Sequence, residues 1–271
     1  MINLRDFCSS FMLPSGGRLW TSTTQTGTKP VVLLVHGAYH GAWCYAQWMR
    51  YLLQEGYQVA AVDWPGHGGL PAPTGYESMD IPYFAKVVGE GIDQLPERPV
   101  VIGHSLGALV LAVAAEHRDV AAMALLAPSP PGNMPGVAAV SELPTGKPYP
   151  PPSLKRFRDI YMGGAENAEM WLPSLCSESP RALNDRYNLR ISVKAGPPKG
   201  LVLEAGLEDP LRHPAGQDEA VAAFFGYEYR HLPDAPHCMM LHDPGNAAYK
   251  ALSNWLKQFW MKSDHRGSAF V

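Results

Sequence analysis

A single serine stands where an apolar, β-branched run changes abruptly into a run of small and apolar residues. Val100–Ile102 has the character of a buried strand, and Leu106–His117 has that of a helix. Between them lies Gly103-His104-Ser105-Leu106-Gly107, which has the form G-x-S-x-G. In a strand–turn–helix context this pattern holds the serine in a strained conformation at the carboxyl end of a sheet. The stretch therefore predicts an α/β fold with an exposed, chemically usable hydroxyl at Ser105.

Predicted strands and helices alternate on both sides of this join. An N-terminal hairpin is predicted from residues 5–13 and 18–24. Further strands are predicted at Pro30–Val35, Gln58–Asp63, Val120–Ala127, Leu201–Ala205 and Tyr227–Leu232, and helices at Ala42–Glu55, Ile81–Leu95 and Asn246–Met261. Such alternation favours a mostly parallel, doubly wound sheet with helices on both faces.

The alternation stops over residues 129–195. A stretch rich in proline and glycine is followed there by three predicted helices, near 153–162, 165–172 and 179–189. A usual crossover between parallel strands needs only about a dozen residues or somewhat more. We therefore predict a helical cap at 129–195, inserted into a core formed by 1–128 and 196–271.

Composition excludes several classes of protein. The chain has 271 residues, of which 46% are hydrophobic, and a net charge of −3, which disfavours nucleic acid as a partner. It lacks a run of 18 consecutive apolar residues, so we expect no membrane span. It also lacks a secretory signal, and its four dispersed cysteines are typical of reduced thiols, so we expect a cytoplasmic protein. Neither zinc-ligand spacing nor a dinucleotide fingerprint is found, so no metal or cofactor is expected.

A serine hydroxyl becomes an effective nucleophile only beside a base that accepts its proton. That base is expected at the carboxyl end of a later strand. His237 follows the last predicted strand and precedes the closing helix, whereas His242, five residues further on, is the alternative.

The base in turn needs an acid that orients it. Asp209 follows the strand Leu201–Ala205 by a short turn, and the chain order Ser105, Asp209, His237 is the order expected for this arrangement. Glu208 is its nearest competitor, and Asp209 could instead cap the segment that follows it.

Two backbone amides are expected to bind the oxyanion that forms during acyl transfer. One belongs to Leu106, directly after the nucleophile, and the other to Ala38, in the glycine-containing loop after Pro30–Val35. Apolar side chains near these loops are candidates for the walls of the substrate pocket: Tyr39, Trp64, Trp171 and Met239.

The chain resembles the α/β-hydrolase superfamily over nearly its whole length. The matching elements, in chain order, are His36-Gly37, Asp63-Trp-Pro-Gly-His-Gly68, Gly103-His-Ser-Leu-Gly107, Gly206-Leu-Glu-Asp209 and His237. The stretch HGAYHGAWCYAQW is also similar to the branch of plant methylesterases and hydroxynitrile lyases. The lyases have threonine where this chain has Gly37 and a lysine where it reads Cys238-Met-Met-Leu, so the resemblance implies ester hydrolysis rather than cyanohydrin cleavage.

These features together predict a serine hydrolase that cleaves a carboxylic ester of a small molecule through an acyl-enzyme. A thioesterase, lactonase or amidase would use the same residues on another bond. A carbon–carbon bond hydrolase and a hydrolase-like receptor without activity are further alternatives. An epoxide hydrolase or dehalogenase is disfavoured, because those reactions need a carboxylate at the position of Ser105.

Overall fold

Eight strands form one sheet in the computed structural model, which describes residues 2–23, 29–194, 196–197, 199–211 and 213–267. Their order across the sheet is β1-β2-β4-β3-β5-β6-β7-β8. The strands are β1 Cys8–Met12, β2 Arg18–Ser22, β3 Val31–Val35, β4 Gln58–Asp63, β5 Val100–His104, β6 Ala122–Leu126, β7 Gly200–Leu207 and β8 Glu228–Pro236. From β4 to β8 all neighbours are parallel, and only the pairs β1–β2 and β2–β4 are antiparallel.

The central strands are the most apolar parts of the chain. Every residue of β3, β5 and β6 is buried. Unbroken runs such as Val31–Val35 suit strands that are covered on both faces, because alternate side chains point to opposite sides of a sheet. Two hydrophobic clusters lie on the two faces accordingly, and the predicted doubly wound architecture is confirmed.

The helices pack on both faces of this sheet. Outside the connection from β6 to β7, the α-helices of the described residues are α1 Ala46–Gln54, α2 Ile81–Asp93, α3 Leu106–Ala115, α6 Gln217–Phe225 and α7 Ala247–Gly267. The Asp80 side chain caps α2 by accepting a hydrogen bond from the Tyr83 amide at 2.9 Å. Within the described residues, no helix is long and apolar enough to cross a membrane.

The chain leaves the sheet between β6 and β7, over residues 127–199, which we call the β6–β7 segment. Its helical parts are α4 (Leu154–Arg156), a π-helical turn (Phe157–Tyr161), a 3-10 helix (Glu166–Ser174) and α5 (Pro180–Tyr187). They fall near the three helices predicted from the sequence. The division into a core and a cap at residues 129–195 stays a prediction.

Because β3 and β5–β8 are parallel, their carboxyl ends meet at one edge of the sheet. The loops that leave this edge carry the residues of the candidate site.

Candidate active site

Ser105 occupies a strained position between β5 and α3. Its φ is 53° and its ψ is −122°, a conformation that residues with a side chain rarely adopt. Backbone hydrogen bonds on both sides hold it there: the Ser105 amide donates to the Leu126 carbonyl at 2.9 Å, and the Ser105 carbonyl accepts from the Ser129 amide at 3.1 Å. The strain is thus maintained by the neighbouring strand rather than by the serine itself.

Two glycines make this turn sterically feasible. A Cβ atom on Gly107 would collide with the carbonyl oxygen of His36, and one on Gly103 would lie 2.7 Å from the Cα atom of Ala108. Both positions therefore exclude a side chain, as the sequence motif predicts.

The loop that follows β3 lies directly beside Ser105. A Cβ atom on Gly37 would be 3.1 Å from the Ser105 Cβ atom, so glycine is needed for this close approach. Ala38 and Leu106 line one cavity together with Ser105. Leu106 is the first residue of α3, and the amides of a helix's first turn lack acceptors within the helix. Both predicted oxyanion donors therefore belong to residues at the cavity that Ser105 lines.

Tyr39, the next residue of this loop, is held by the β6–β7 segment. Its φ of 67° is unusual for a residue with a side chain. The Cys176 amide donates to the Tyr39 carbonyl at 2.9 Å, and the Tyr39 amide donates to Glu178 Oε2 at 3.3 Å. The loop carrying Ala38 is therefore fixed from the side opposite the sheet.

Glu178 is fully buried and belongs to a polar cluster that we call the Glu178 cluster, formed by Glu178, His67 and Tyr76. Glu178 Oε2 lies 2.9 Å from His67 Nε2, and Tyr76 donates to Glu178 Oε1 at 3.2 Å. Burial by itself lowers the pKa of His67, but the charge of Glu178, with a smaller contribution from Cys176, raises that pKa well above its ordinary value. Glu178 therefore favours the charged form of His67.

His237, at the end of β8, is hydrogen-bonded to a different carboxylate from the one predicted. Its Nδ1 atom lies 2.7 Å from Glu208 Oε1, and both side chains are about nine-tenths buried. Asp209 lines the same cavity, but its Oδ1 atom accepts a hydrogen bond from the Leu211 amide at 3.1 Å. The carboxylate that the structure shows hydrogen-bonded to His237 is thus Glu208, where the sequence predicts Asp209, and the orienting role is proposed for Glu208 below.

An irregularity in β7 accounts for this difference. The sequence predicts that the strand ends at Ala205, whereas β7 continues to Leu207 with a shift of register between Ala205 and Leu207. A one-residue irregularity changes which side chains face a given side of a strand. Glu208 consequently faces His237. Asp209 accepts a hydrogen bond in the turn that follows, which agrees with the alternative that Asp209 caps the next segment.

Burial dominates the electrostatics of Glu208 and raises its pKa to about 7, although the nearby His213 imidazole acts in the opposite direction. His104 supports the same region, since its Nε2 atom lies 2.8 Å from the His237 carbonyl oxygen. His242, the alternative base, does not line the cavity among the described residues.

The cavity has a volume of about 60 Å³ that is accessible to the centre of a water-sized sphere. None of the four aromatic or sulfur-containing side chains predicted for its walls lines it, and this expectation is corrected. Trp64 is fully buried and stacks on Phe84, and Tyr39 and Met239 are buried in the two hydrophobic clusters. Trp171 stacks on Trp43 beside a separate groove.

Other residues form the walls instead. The β6–β7 segment contributes most of them: Ser129, Ile160, Tyr161, Leu183, Arg186 and Tyr187. The others are His104 at the end of β5 and, from loops at the sheet edge, His40 and His213. Sequence reasoning did not select Arg186 or His213, because no local pattern distinguishes them from surface residues. Only the packing of α5 and of the turn after β7 brings them to Ser105.

The comparisons with known proteins agree with this architecture. The model of the Alpha/beta hydrolase family matches residues 32–249, which include all of β3 but its first residue, the serine turn and β8.

Curated relatives match a shorter part. Methylesterase 3 of Arabidopsis thaliana is 36% identical over 88 residues, which are 32% of this chain and 34% of the relative. Esterase PIR7B of Oryza sativa subsp. japonica is 33% identical over 95 residues, 34% of this chain and 35% of the relative. Epoxide hydrolase A of Mycobacterium tuberculosis is 40% identical over 83 residues, 30% and 26% of the two chains. The matched part thus spans about a third of these relatives or less.

Solved structures match over most of the chain. The methylesterase MES16 from Arabidopsis superposes with a TM-score of 0.67 at 19% identity, covering 84% of this chain and 99% of its own. The esterase EaEST from Exiguobacterium antarcticum gives a TM-score of 0.67 at 17% identity, covering 92% and 99%. At such identities the likeness concerns the fold. With the family match over residues 32–249, it establishes that this chain belongs to the alpha/beta hydrolase family.

Proposed function

We propose that the chain is a serine hydrolase that cleaves a carboxylic ester of a small molecule through an acyl-enzyme on Ser105. The observation that carries this proposal is the convergence of three features on one cavity: the strained Ser105, the His237–Glu208 hydrogen bond and the loop of Ala38. The methylesterase and esterase names of the relatives point to the same class of reaction.

In this mechanism His237 Nε2 accepts the Ser105 proton while Ser105 Oγ attacks the ester carbonyl carbon. Glu208 accepts a hydrogen bond from His237 Nδ1, which fixes the tautomer and stabilises the imidazolium that forms. The alcohol leaves with the proton from Nε2. Water then attacks the acyl-enzyme with His237 again acting as base, and the carboxylic acid is released.

The oxyanion formed in each step is bound by the amides of Ala38 and Leu106. Removing one such donor from a hydrolase typically costs about 2.7–4 kcal/mol of transition-state stabilisation. The α3 N-terminus adds a favourable dipole at the same point, because negative charge is stabilised there.

Two residues distinguish this reaction from the activities of other relatives. A serine at position 105 suits acyl transfer, whereas an epoxide hydrolase needs a carboxylate there. Gly37 packs against Ser105 without room for the threonine that the lyases have at this position. Both favour ester hydrolysis.

A fluorophosphonate probe tests the proposal directly. We expect stoichiometric labelling of Ser105, located by peptide mass spectrometry, and loss of labelling in Ser105→Ala. A panel of methyl, aryl and longer-chain esters then defines the preferred substrate. Absence of both labelling and ester turnover in the folded protein would overturn the proposal.

A further inference from the structure

A second function is built around the carboxylate that orients His237. Glu208, His213 and His237 each offer one donor atom, and these atoms all lie within 4.8 Å of one another. We call them the Glu208 triad. The rings of His213 and His237 are 5.0 Å apart between centroids and meet at 61°, in an edge-to-face arrangement rather than a stack.

Two imidazoles and one carboxylate are a donor set that suits Zn²⁺. In a tetrahedral zinc site with bonds of about 2.0–2.1 Å, the donor atoms lie about 3.3 Å apart. The widest pair in the Glu208 triad therefore has to close by about 1.5 Å. His213 lies in the turn between β7 and α6, where a rotation of one side chain can supply such a movement.

His213 has a buried carboxylate behind one ring nitrogen, at ion-pair rather than hydrogen-bond distance. Its Nδ1 atom faces α6, where the Gln217 amide nitrogen, a donor, lies at 3.2 Å and Asp218 Oδ1 at 3.7 Å, so metal binding through Nε2 requires Nδ1 to carry the proton and turn it towards Asp218. This leaves Nε2 on the opposite edge of the ring for a ligand. A carboxylate behind the second nitrogen of a histidine is the common outer-shell arrangement of zinc sites.

Asp218 provides an independent observation. Its side chain is 2% exposed, and neither of its carboxylate oxygens makes a hydrogen bond within the described residues. A buried carboxylate without hydrogen bonds is costly unless positive charge lies nearby. The His213 imidazole, 3.7 Å away, can supply such charge when it is protonated, and a divalent cation held by His213 would take over that role next to both Asp218 and Glu208.

We propose that Glu208, His213 and His237 form a Zn²⁺ site, with Asp218 behind His213, and that zinc reversibly inhibits the hydrolase. Zinc bonds to Nδ1 of His237 and replaces the hydrogen bond to Glu208. The ring then keeps its single proton on Nε2, the nitrogen that has to accept the Ser105 proton. Zinc thus disables the base without touching Ser105. The inhibition, though not the site itself, rests on the proposed function.

Metal binding is measured first, without reference to activity. The protein, free of any polyhistidine tag, carries Ser105→Ala and is titrated with Zn²⁺ by calorimetry and with Co²⁺ by visible absorption. We expect one site per chain. His213→Asn in this background should weaken binding by about 100-fold or more, and Asp218→Asn by about 10–100-fold, because outer-shell partners usually contribute that much. His242→Asn, outside the Glu208 triad, should leave the affinity unchanged.

A folded His213→Asn protein that binds zinc within threefold of the Ser105→Ala protein overturns the inference. Zinc inhibition of ester turnover is measured next, in the protein with Ser105 intact, and should be reversed by a chelator. Zinc binding that depends on His213 in a protein that cleaves no ester would refute the proposed function and leave the metal site standing. Normal labelling of Ser105 by the fluorophosphonate probe, without zinc binding, would refute the metal site and leave the proposed function standing.

Discussion

Glu178 Oε2 lies 2.9 Å from His67 Nε2 and also accepts the amide proton of Tyr39 at 3.3 Å. One oxygen of the β6–β7 segment therefore joins a buried cation to the loop that carries the proposed oxyanion donor Ala38. Both side chains of this pair are completely buried. We therefore expect a substitution in the pair to change both the stability and the activity of the protein.

Substitution of Glu178 should affect both properties. Glu178→Ala leaves the His67 cation unpaired, which we expect to cost about 3–5 kcal/mol of unfolding free energy. Glu178→Gln keeps the shape but weakens the hold on Tyr39, and we expect kcat to fall about tenfold with KM nearly unchanged, since an oxyanion donor acts mainly in the transition state. Denaturant unfolding and ester kinetics check the two parts. An equal change of KM and kcat would contradict the positioning role.

The same pair predicts a pH dependence of stability. Because the pKa of His67 is raised in the folded state, its contribution is complete below the ordinary histidine pKa of about 6.5 and declines as the pH rises towards the folded value. The stability advantage of the wild-type protein over Glu178→Gln should therefore shrink between pH 6 and pH 8.5. Urea unfolding at three pH values measures this, and an advantage that grows with pH would show that the ion pair is not the cause.

A matched pair of variants decides which carboxylate orients His237. Glu208→Gln replaces the acceptor on His237 Nδ1 and should lower kcat by about 10³–10⁴-fold, as expected when the base loses its orienting acid. Asp209→Asn keeps an acceptor for the Leu211 amide and should change kcat less than about tenfold. Steady-state ester hydrolysis measures both. A larger loss of kcat in Asp209→Asn than in Glu208→Gln would show that Asp209 orients His237, as the sequence predicts.

The strain at Ser105 predicts an unusual order of stabilities. With a φ of 53°, this position suits glycine better than any residue with a Cβ atom. Ser105→Gly should therefore be about 1–2 kcal/mol more stable than Ser105→Ala, the reverse of what is usual within a helix. Thermal and chemical unfolding of the two inactive variants measure the difference. Equal stabilities would mean that the turn relaxes when the hydroxyl is lost.

The cysteines should differ in reactivity. Burial raises the pKa of the Cys44 and Cys238 thiols well above the ordinary value, whereas the Cys176 side chain is partly exposed. Iodoacetamide should modify Cys176 first and leave Cys238 intact in the native protein, because the thiolate is the reacting species. Peptide mass spectrometry after short exposure identifies the modified sites. Rapid modification of Cys238 would require an opening of the site that this structure does not contain.

The sequence predicts those parts of the fold that depend on local pattern. The runs that form β3 and β5 are apolar over their whole length, and Gly103 and Gly107 mark the serine turn, so the sheet and the position of Ser105 follow from neighbouring residues alone. The carboxylate beside His237 is Glu208, and not the expected Asp209, because the register shifts next to Gly206. A Cβ atom on Gly206 would collide with the backbone of Pro233. That contact is between two strands and leaves no signature in either one.

The cavity walls were the least predictable part. Trp64 was expected there because it is aromatic and follows β4, but its ring packs into the layer between the sheet and α2. Arg186 and Tyr187 line the cavity because α5 lies across the sheet edge, a placement fixed by contacts more than 100 residues apart in the chain, such as the 3.4 Å approach of the Ile81 amide to Asp185. Hydrophobicity alone could not separate core aromatics from wall residues.

The hydrogen bond from the Cys176 amide to the Tyr39 carbonyl also limits how this protein can be re-engineered. Exchanging the β6–β7 segment for that of a relative would change the walls of the cavity and remove the support of the Ala38 loop in the same step. A graft that also carries over the partner loop after β3 keeps donor and acceptor matched. The walls of the cavity and the support of the Ala38 loop are in this sense coupled, and libraries that vary residues 127–199 should keep Glu178 and exclude proline at position 176.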